Sequence, residues 1–502
     1  MSDDARGAAA ESDAATPDLG DVSAEEFRAA LHRAADWVAD YREGIGRLPV
    51  SPHTEPGDVA ALLPEEMPEQ SAPLSELFDE LDRLVLPHIV NWGHPSFLGY
   101  FGSTTTAPGV LGEMLAAALN VSAMTWRTSP AATELETVVL EWMRRALGLS
   151  EEFTGVVYDT ASVALLHALA AAREGLGLDA RRRGLAGRAD VPVLRVYASD
   201  QAHSSVEKAA ITIGVGEENV RRVATDEGFR MNPAALAAAV DEDVRAGALP
   251  LAVVATVGTT STAAVDPVEE VAAVCRERNV WLHVDAAYGG ALALLEEYAH
   301  LSRLMSRADS LVVNPHKWLF VPLDFSALYT RRPGLLRATF SLVPEYLRGD
   351  AERGEVNYMD YGVQLGRRFR ALKAWAVFRT FGRAGLRSRI REHLRLARLF
   401  AESVGRAPGF ALAAPPSMAV VCFRALPDAE DRAGEDGGPR ADELNRALVE
   451  AVNATGRVYL THTTLRGRVA ARVAFGNVLT TERHAAEAFA LLEAEAARLR
   501  RS

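Results

Sequence analysis

The spacing of apolar positions changes its period along the chain. Phe27, Leu31, Ala34, Val38 and Tyr41 recur at alternating steps of four and three, which is one face of an amphipathic helix. Ser23 followed by Glu26 stands ahead of that stripe at capping-box spacing and predicts the helix start. A proline-rich connector over 48–73 leads to a second helix expected around 75–90. Both stripes need covering, so this segment is expected to pack on another subunit or on the main domain. From about 107 to 380 the pattern turns to short β-rich runs separated by helical stretches: "GVVYD", "VLRVYAS", "LAVVATVG", "VWLHVDAA", "SLVVNPH" and "FSALYT". Such alternation predicts an α/β fold, a mostly parallel sheet with helices on both faces. Ligands then sit beyond the carboxyl ends of the strands.

The expected organisation is a disordered tail over 1–21, a helical dimerisation segment over 22–106, a large domain over 107–380 and a small C-terminal α+β domain over 381–502. The last begins with basic helices and holds one strand candidate, "VAARVAFGN", and a surface loop, "LPDAEDRAGEDGGPRADE". Composition narrows the function. With 502 residues, 48% of them hydrophobic and 24% charged, the chain is of the soluble globular class. A net charge of −13 argues against nucleic acid or an anionic membrane as partner. Cys275 and Cys422 both lie in apolar runs and are expected to be reduced core residues, with no disulfide frame and no metal site. The N-terminus lacks a basic start and an apolar core, and no segment reaches membrane-spanning length, so a cytoplasmic location is expected.

The chemical residues fall where the strands end. In "VNPHKWLF", Lys317 follows an interior strand and precedes Trp318, Leu319 and Phe320. Loss of solvation there lowers an amine's pKa and makes it a usable nucleophile, the chemistry of a Schiff base. Asp285 ends "WLHVD", 32 residues earlier, about one βαβ step. It is either a turn-capping carboxylate or the partner of a buried cation, such as the protonated ring nitrogen of pyridoxal phosphate. Thr160, Ala161 and Ser162 stand where a strand turns into a helix. They are ordinary N-cap residues or an anion site for a phosphate. Asn314 adds a donor. His203, after "VLRVYAS", is a structural histidine or a flat ring against a cofactor. Thr260, beside Gly258, is a polar residue near the same edge.

Seven segments carry a resemblance: "EEFRAALHRAADWVADY", "HPSFLGYF", "SPAATELE", "SDQAHSSVEKA", "WLHVDAAY", "NPHKWLF" and "LGRRFRALKAW". In that order they resemble group II pyridoxal-phosphate-dependent decarboxylases, most closely the aromatic-L-amino-acid decarboxylases. The resemblance implies a type I aminotransferase-like fold and a homodimer with active sites at the interface. It assigns Lys317 to the covalent hold on pyridoxal 5'-phosphate, Asp285 to the ring nitrogen and His203 to a stacked, catalytic ring. Thr160, Ala161, Ser162, Thr260, Ala287, Asn314 and His316 correspond to further cofactor contacts. Trp92, Tyr100 and Phe101 correspond to an aromatic substrate wall and Ser103 to a polar contact near the carboxylate. Gly366 leaves room for an indole-sized side chain. Tyr346, in the loop "SLVPEYLRGDAERGEVNY" that holds Gly349 and Gly354 as possible hinges, corresponds to a lid tyrosine that reprotonates the substrate carbon. In relatives that use O₂ to make aldehydes it is replaced, typically by phenylalanine. Its plainer reading is packing against a neighbouring helix. The implied activity is conversion of an aromatic L-amino acid (Trp, 5-hydroxy-Trp, Phe, Tyr or DOPA) to an arylalkylamine and CO₂. An oxidative aldehyde synthase, a decarboxylase of an acidic amino acid and a catalytically silent scaffold are the alternatives. Two residues depart from the animal enzymes: Asp159 where those have glycine, and Arg127 where those have a small residue.

Overall fold

The computed structural model describes residues 21–342, 354–428 and 438–501. The expected tail, apart from Asp21, lies outside them, as do Tyr346, Gly349 and the middle of the 426–443 loop. The chain divides into two compact units, Met1–Arg47 with Pro52–Ile89, and Leu48–Ser51 with Val90–Ser502.

In the first unit the helix Ala24–Gly44 starts as its cap predicts, with the Glu26 N–H donating to Ser23 Oγ at 3.1 Å. None of its residues is buried, and Phe27 and Leu31 stay exposed. The second helix is broken into Glu76–Glu80, a wide turn over Leu81–Val85 and a tight turn over Leu86–His88. Pro87 supplies no N–H and cannot continue a regular helix. Trp37 Nε1–H donates to Asp82 at 2.8 Å and Arg33 pairs with Asp79, tying the two segments together.

In the second unit seven strands form one sheet: β1 Thr154–Tyr158, β2 Leu194–Ser199, β3 Val220–Val223, β4 Leu249–Thr256, β5 Trp281–Asp285, β6 Ser310–Val313 and β7 Ser326–Thr330. Their order is β1-β7-β6-β5-β4-β2-β3. The pairs from β3 to β6 are parallel, and β7 runs antiparallel to both β6 and β1. The link from β6 to β7 carries only the four-residue helix Pro315–Trp318, too little chain for a crossover, so β7 must reverse direction. Because β7 reverses on both sides, β1, β2, β4, β5 and β6 all leave the sheet at the same edge. The interior strands are buried throughout, which is why they read as continuous apolar runs. β3, "VRRV", is an edge strand whose two arginines hide its period.

A second, antiparallel sheet has four strands where sequence pattern suggests one: β8 Phe410–Leu412, β9 Val420–Ala425, β10 Thr461–Leu465 and β11 Arg468–Ala474, in order β10-β11-β9-β8. β8 is three residues long and β10, "THTTL", is largely polar, so neither carries an apolar signature. The helix Gly438–Ala454 takes up the last residues of the expected loop. The helix Ala371–Arg406 passes through residue 381, where Gly382, at φ 60°, interrupts its geometry.

One buried ion pair fixes the start of the site. Arg367 Nη2 meets Glu136 Oε1 at 2.6 Å with both side chains almost fully enclosed. Arg367 also donates to the carbonyls of Ala123 and Val157, and Glu136 accepts the Val157 N–H at 3.1 Å. Such a pair offsets its desolvation only when its remaining donors and acceptors are used, and here they are spent on Ala123 and on Val157 of β1.

Candidate active site

The five strand ends enclose a cavity of about 180 Å³. β1 delivers Thr160, Ala161 and Ser162; the turn after β2 brings His203. The segment after β4 brings Gly258 and Thr260, β5 ends in Asp285 and leads to Ala287 and Tyr288, and β6 leads to Asn314, His316 and Lys317. All ten residues expected to hold the cofactor line this one cavity, together with Phe101.

Lys317 sits in the single helical turn after Asn314, its backbone N–H donating to the Asn314 carbonyl at 3.0 Å. Its Nζ lies 5.2 Å from the centre of the Phe101 ring. Burial lowers its pKa below the ordinary lysine value; Asp285 opposes that shift and Arg472 adds to it. Behind it Phe101 stacks on Tyr288 at 3.8 Å, Tyr288 stacks on Trp318 at 4.6 Å, and Trp318 Nε1–H donates to His393 Nδ1 at 3.0 Å. This aromatic wall keeps water from one side of the amine.

Asp285 is paired in register with Thr256 on β4. One carboxylate oxygen accepts the Ala287 N–H at 3.0 Å, the turn-capping role; the other has no hydrogen bond among the described residues. The capping and the cation-binding readings therefore apply to different oxygens of one group. His203 Nδ1 accepts the Ser205 N–H at 3.1 Å, which assigns the proton of the neutral ring to Nε2. Desolvation lowers its pKa, with Asp285 pulling the other way. His316 Nδ1 accepts the Phe325 N–H at 2.9 Å, and burial depresses its pKa to about 3. Its Nε2 lies 3.2 Å from the Asn314 side-chain nitrogen, and the Asn314 oxygen accepts from Ser326 Oγ–H at 2.8 Å.

The substrate residues divide. Phe101 lines the cavity; Trp92, Tyr100, Ser103 and Gly366 do not. Trp92 and Tyr100 stack on each other at 5.4 Å with half-exposed rings. Ser103 Oγ–H donates to the His316 carbonyl at 2.6 Å and so braces the turn that carries Lys317. A Cβ on Gly366 meets nothing within 4 Å. Arg127 is exposed, with no hydrogen bond or ion pair among the described residues. Sequence reasoning missed Arg472, on β11. It does not line the cavity itself but is 4% exposed, lies 4.7 Å over the Phe101 ring, donates to the carbonyls of Tyr100 and Ser261, and leaves Nη2 buried without a partner among the described residues. The available signal was a charged residue inside "VAARVAF", a run otherwise patterned for burial.

The donor set fits pyridoxal phosphate. The helix Ala161–Gly175 has Thr160 as N-cap, yet no side chain caps it, so the first-turn amides are left for an acceptor from outside the chain. Thr256 Oγ1, in the cavity wall, is buried and has no hydrogen-bond partner among the described residues. A desolvated amine and a carboxylate with one open oxygen stand on adjacent strand ends. This is the site of a type I fold pyridoxal-phosphate enzyme. The family model described as "Pyridoxal-dependent decarboxylase conserved domain" matches residues 56–426, and the chain belongs to that family. It is 38% identical to tyrosine decarboxylase 1 of Narcissus pseudonarcissus, over 96% of this chain and 94% of that protein. It is 37% identical to a phenylacetaldehyde synthase of Arabidopsis thaliana, over 96% and 98%. A solved structure of Oryza sativa TDC with PLP and tryptamine superposes with a TM-score of 0.90 at 37% identity, covering 96% of this chain and 99% of that one.

The buried histidines make stability depend on pH. Burial holds His167, His283 and His393 down at about 4 and His316 at about 3. The unfolded chain protonates each near the usual 6.5, so their stabilisation is complete above that pH and is lost as pH falls toward the folded values, at about 1.4 kcal/mol per unit for each histidine. Asp266, pushed up to about 6 by burial, acts the other way between the usual carboxylate range and 6, offsetting about one histidine. Denaturant titrations should therefore show the unfolding free energy falling steadily between pH 6.5 and 4.5. A flat profile over that interval would mean that these histidines are charged in the folded protein.

Proposed function

We propose that this protein decarboxylates aromatic L-amino acids, releasing the arylalkylamine and CO₂, as a homodimer. The observation that carries the chemistry is the desolvated Lys317 amine near Asp285, in a cavity that is also lined by a helix N-terminus without a side-chain cap. Pyridoxal phosphate, when bound, supplies an aldehyde for the amine and a protonated ring that accepts the electron pair of the breaking bond.

The chain's own residues do the rest. Lys317 would hold the aldehyde until an amino group displaces it. The open oxygen of Asp285 would keep the ring nitrogen protonated, and the amides of Ala161 and Ser162 would take the phosphate. His203 and His316, both neutral, would border the group without adding charge. Phe101 and Tyr288 exclude water, which strengthens every charge interaction in the cavity. Arg472, which lies over the Phe101 ring behind the cavity wall, would offer the substrate carboxylate its Nη2, without a partner among the described residues, and so help to orient the α-carbon. Tyr346 would hold the proton that the α-carbon takes up after CO₂ leaves. A tyrosine in that position favours amine over aldehyde, as does the similarity to tyrosine decarboxylase, while phenylacetaldehyde synthases are relatives of equal rank.

The homodimer reading is supported by the helix Ala107–Leu119, which leaves Leu111, Leu115 and Leu119 at 56, 50 and 60% exposure in the single chain. An apolar face of that kind requires a cover, and a second copy supplies one.

Lys317→Ala is expected to remain a dimer by light scattering and to lose both turnover and borohydride-fixed cofactor. Covalent trapping on the Ala variant would remove Lys317 from its role, and a monomeric wild type would remove the dimer. Arg472→Leu should raise KM for the amino acid more than it lowers kcat. A charge-assisted hydrogen bond is worth about 1.5–3 kcal/mol, roughly ten- to a hundredfold in kcat/KM. An unchanged KM in a variant that keeps its cofactor content would reduce Arg472 to a brace for Tyr100 and Ser261. Tyr346→Phe should divert product from amine to aldehyde, ammonia and peroxide in air but not under nitrogen. If the Phe variant still gives mainly amine near the wild-type rate, another group delivers the proton; if wild type itself gives mainly aldehyde in air, the protein is an aldehyde synthase.

A further inference from the structure

Asp159 follows directly on β1, one residue before the phosphate end of the cavity, and its surroundings are specific. Its Oδ1 accepts the Thr160 N–H at 2.6 Å and lies 3.3 Å from the Thr160 hydroxyl. Its Oδ2 is met by Gln364 Nε2 at 3.4 Å, and its carbonyl by Ser326 Oγ at 3.3 Å. No cation forms an ion pair with it among the described residues. The guanidinium that feels its charge, Arg370, is already committed to Asp324 at 2.8 Å, and His167 is held neutral by burial.

Two consequences follow, of opposite sign. Thr160 occupies the N-cap of the helix Ala161–Gly175, where a hydroxyl normally accepts from the first-turn amides. Here that hydroxyl is turned toward Asp159, to which it donates, and accepts from none of those amides, which are left for a phosphate. The same carboxylate, adjacent in sequence to the cavity-lining Thr160 and without an ion-pair partner among the described residues, also adds negative charge at the end where a phosphate would sit, and like charges in a partly enclosed site repel. Asp159 thus keeps the cradle open and at the same time weakens its grip.

Resting on the cofactor reading above, we infer that Asp159 sets how readily this chain exchanges its cofactor. Its hydrogen bond keeps the helix N-terminus free for phosphate, and its charge limits how tightly the phosphate is retained. The ligand concerned is the phosphate ester of the cofactor, not its ring.

Asparagine keeps the acceptor and removes the charge; alanine removes both and lets Thr160 turn back to cap the helix. Apo-protein of wild type, Asp159→Asn and Asp159→Ala is titrated by equilibrium dialysis with pyridoxal phosphate and, separately, with pyridoxal, which has no phosphate. The Asn variant is expected to bind pyridoxal phosphate about tenfold more tightly than wild type, with pyridoxal unchanged. The Ala variant should gain less than the Asn variant, because its helix becomes self-capped. Equal or weaker binding of pyridoxal phosphate by Asp159→Asn overturns the inference, as does an equal gain for pyridoxal. If wild-type apo-protein takes up no pyridoxal phosphate at all, the cofactor reading itself fails, an outcome distinct from either.

Discussion

The amine of Lys317 is reactive only while it is kept from water, and the site depends on that desolvation. It requires an enclosure built from several directions at once, and a parallel sheet provides it by sending its strand ends to one edge. β7 reverses the chain between β6 and β1 and so returns β1 to the common direction. Without that reversal, the helix N-terminus at Ala161 would open on the far edge of the sheet. The buried Arg367–Glu136 pair reinforces the arrangement, since its remaining hydrogen bonds hold Val157, two residues short of Asp159.

Within the enclosure, charge is sparse and placed. The histidines nearest the lysine are neutral, for reasons visible in their hydrogen bonds: each uses Nδ1 to accept a backbone N–H. The groups that can carry charge are the desolvated Lys317 amine and Asp285 in the cavity, Arg472 behind the Phe101 ring, and Asp159 one residue before the phosphate end. A cofactor with a cationic ring nitrogen, an anionic phosphate and an aldehyde is the complement of that set, with Asp159 the one member of unfavourable sign. Arg472, which lies over the Phe101 ring, comes from the second sheet, so that side of the cavity wall is complete only when the two sheets are packed together.

The strands of the main sheet and the residues at their ends were legible in the chain because burial on both faces leaves an unbroken apolar signature, and because chemistry at such a sheet must lie where the strands stop. Lys317, Asp285, His203 and the Thr160–Ser162 step were found that way, and the resemblance then supplied roles for them. β3, β8 and β10 were not legible: edge strands and very short strands bury too little side chain to impose a period on the sequence. The departure at Asp159 was visible as an isolated letter, but not its hydrogen bond to Thr160, which depends on side-chain geometry.

The sequence by itself determined the α/β alternation, the cofactor chemistry and the residue types at each strand end, since those follow from local burial patterns and short motifs. Tertiary structure decided which of them meet. Arg472 is separated from Lys317 by more than a hundred residues and belongs to another sheet, and no periodicity connects the two. Their electrostatic coupling and the seating of Arg472 over the Phe101 ring exist only after β11 is packed, and the stack from Phe101 through Tyr288 to Trp318 joins three segments distant in sequence. Desolvation is a property of everything that surrounds a group, and a chain read in one dimension carries only its neighbours.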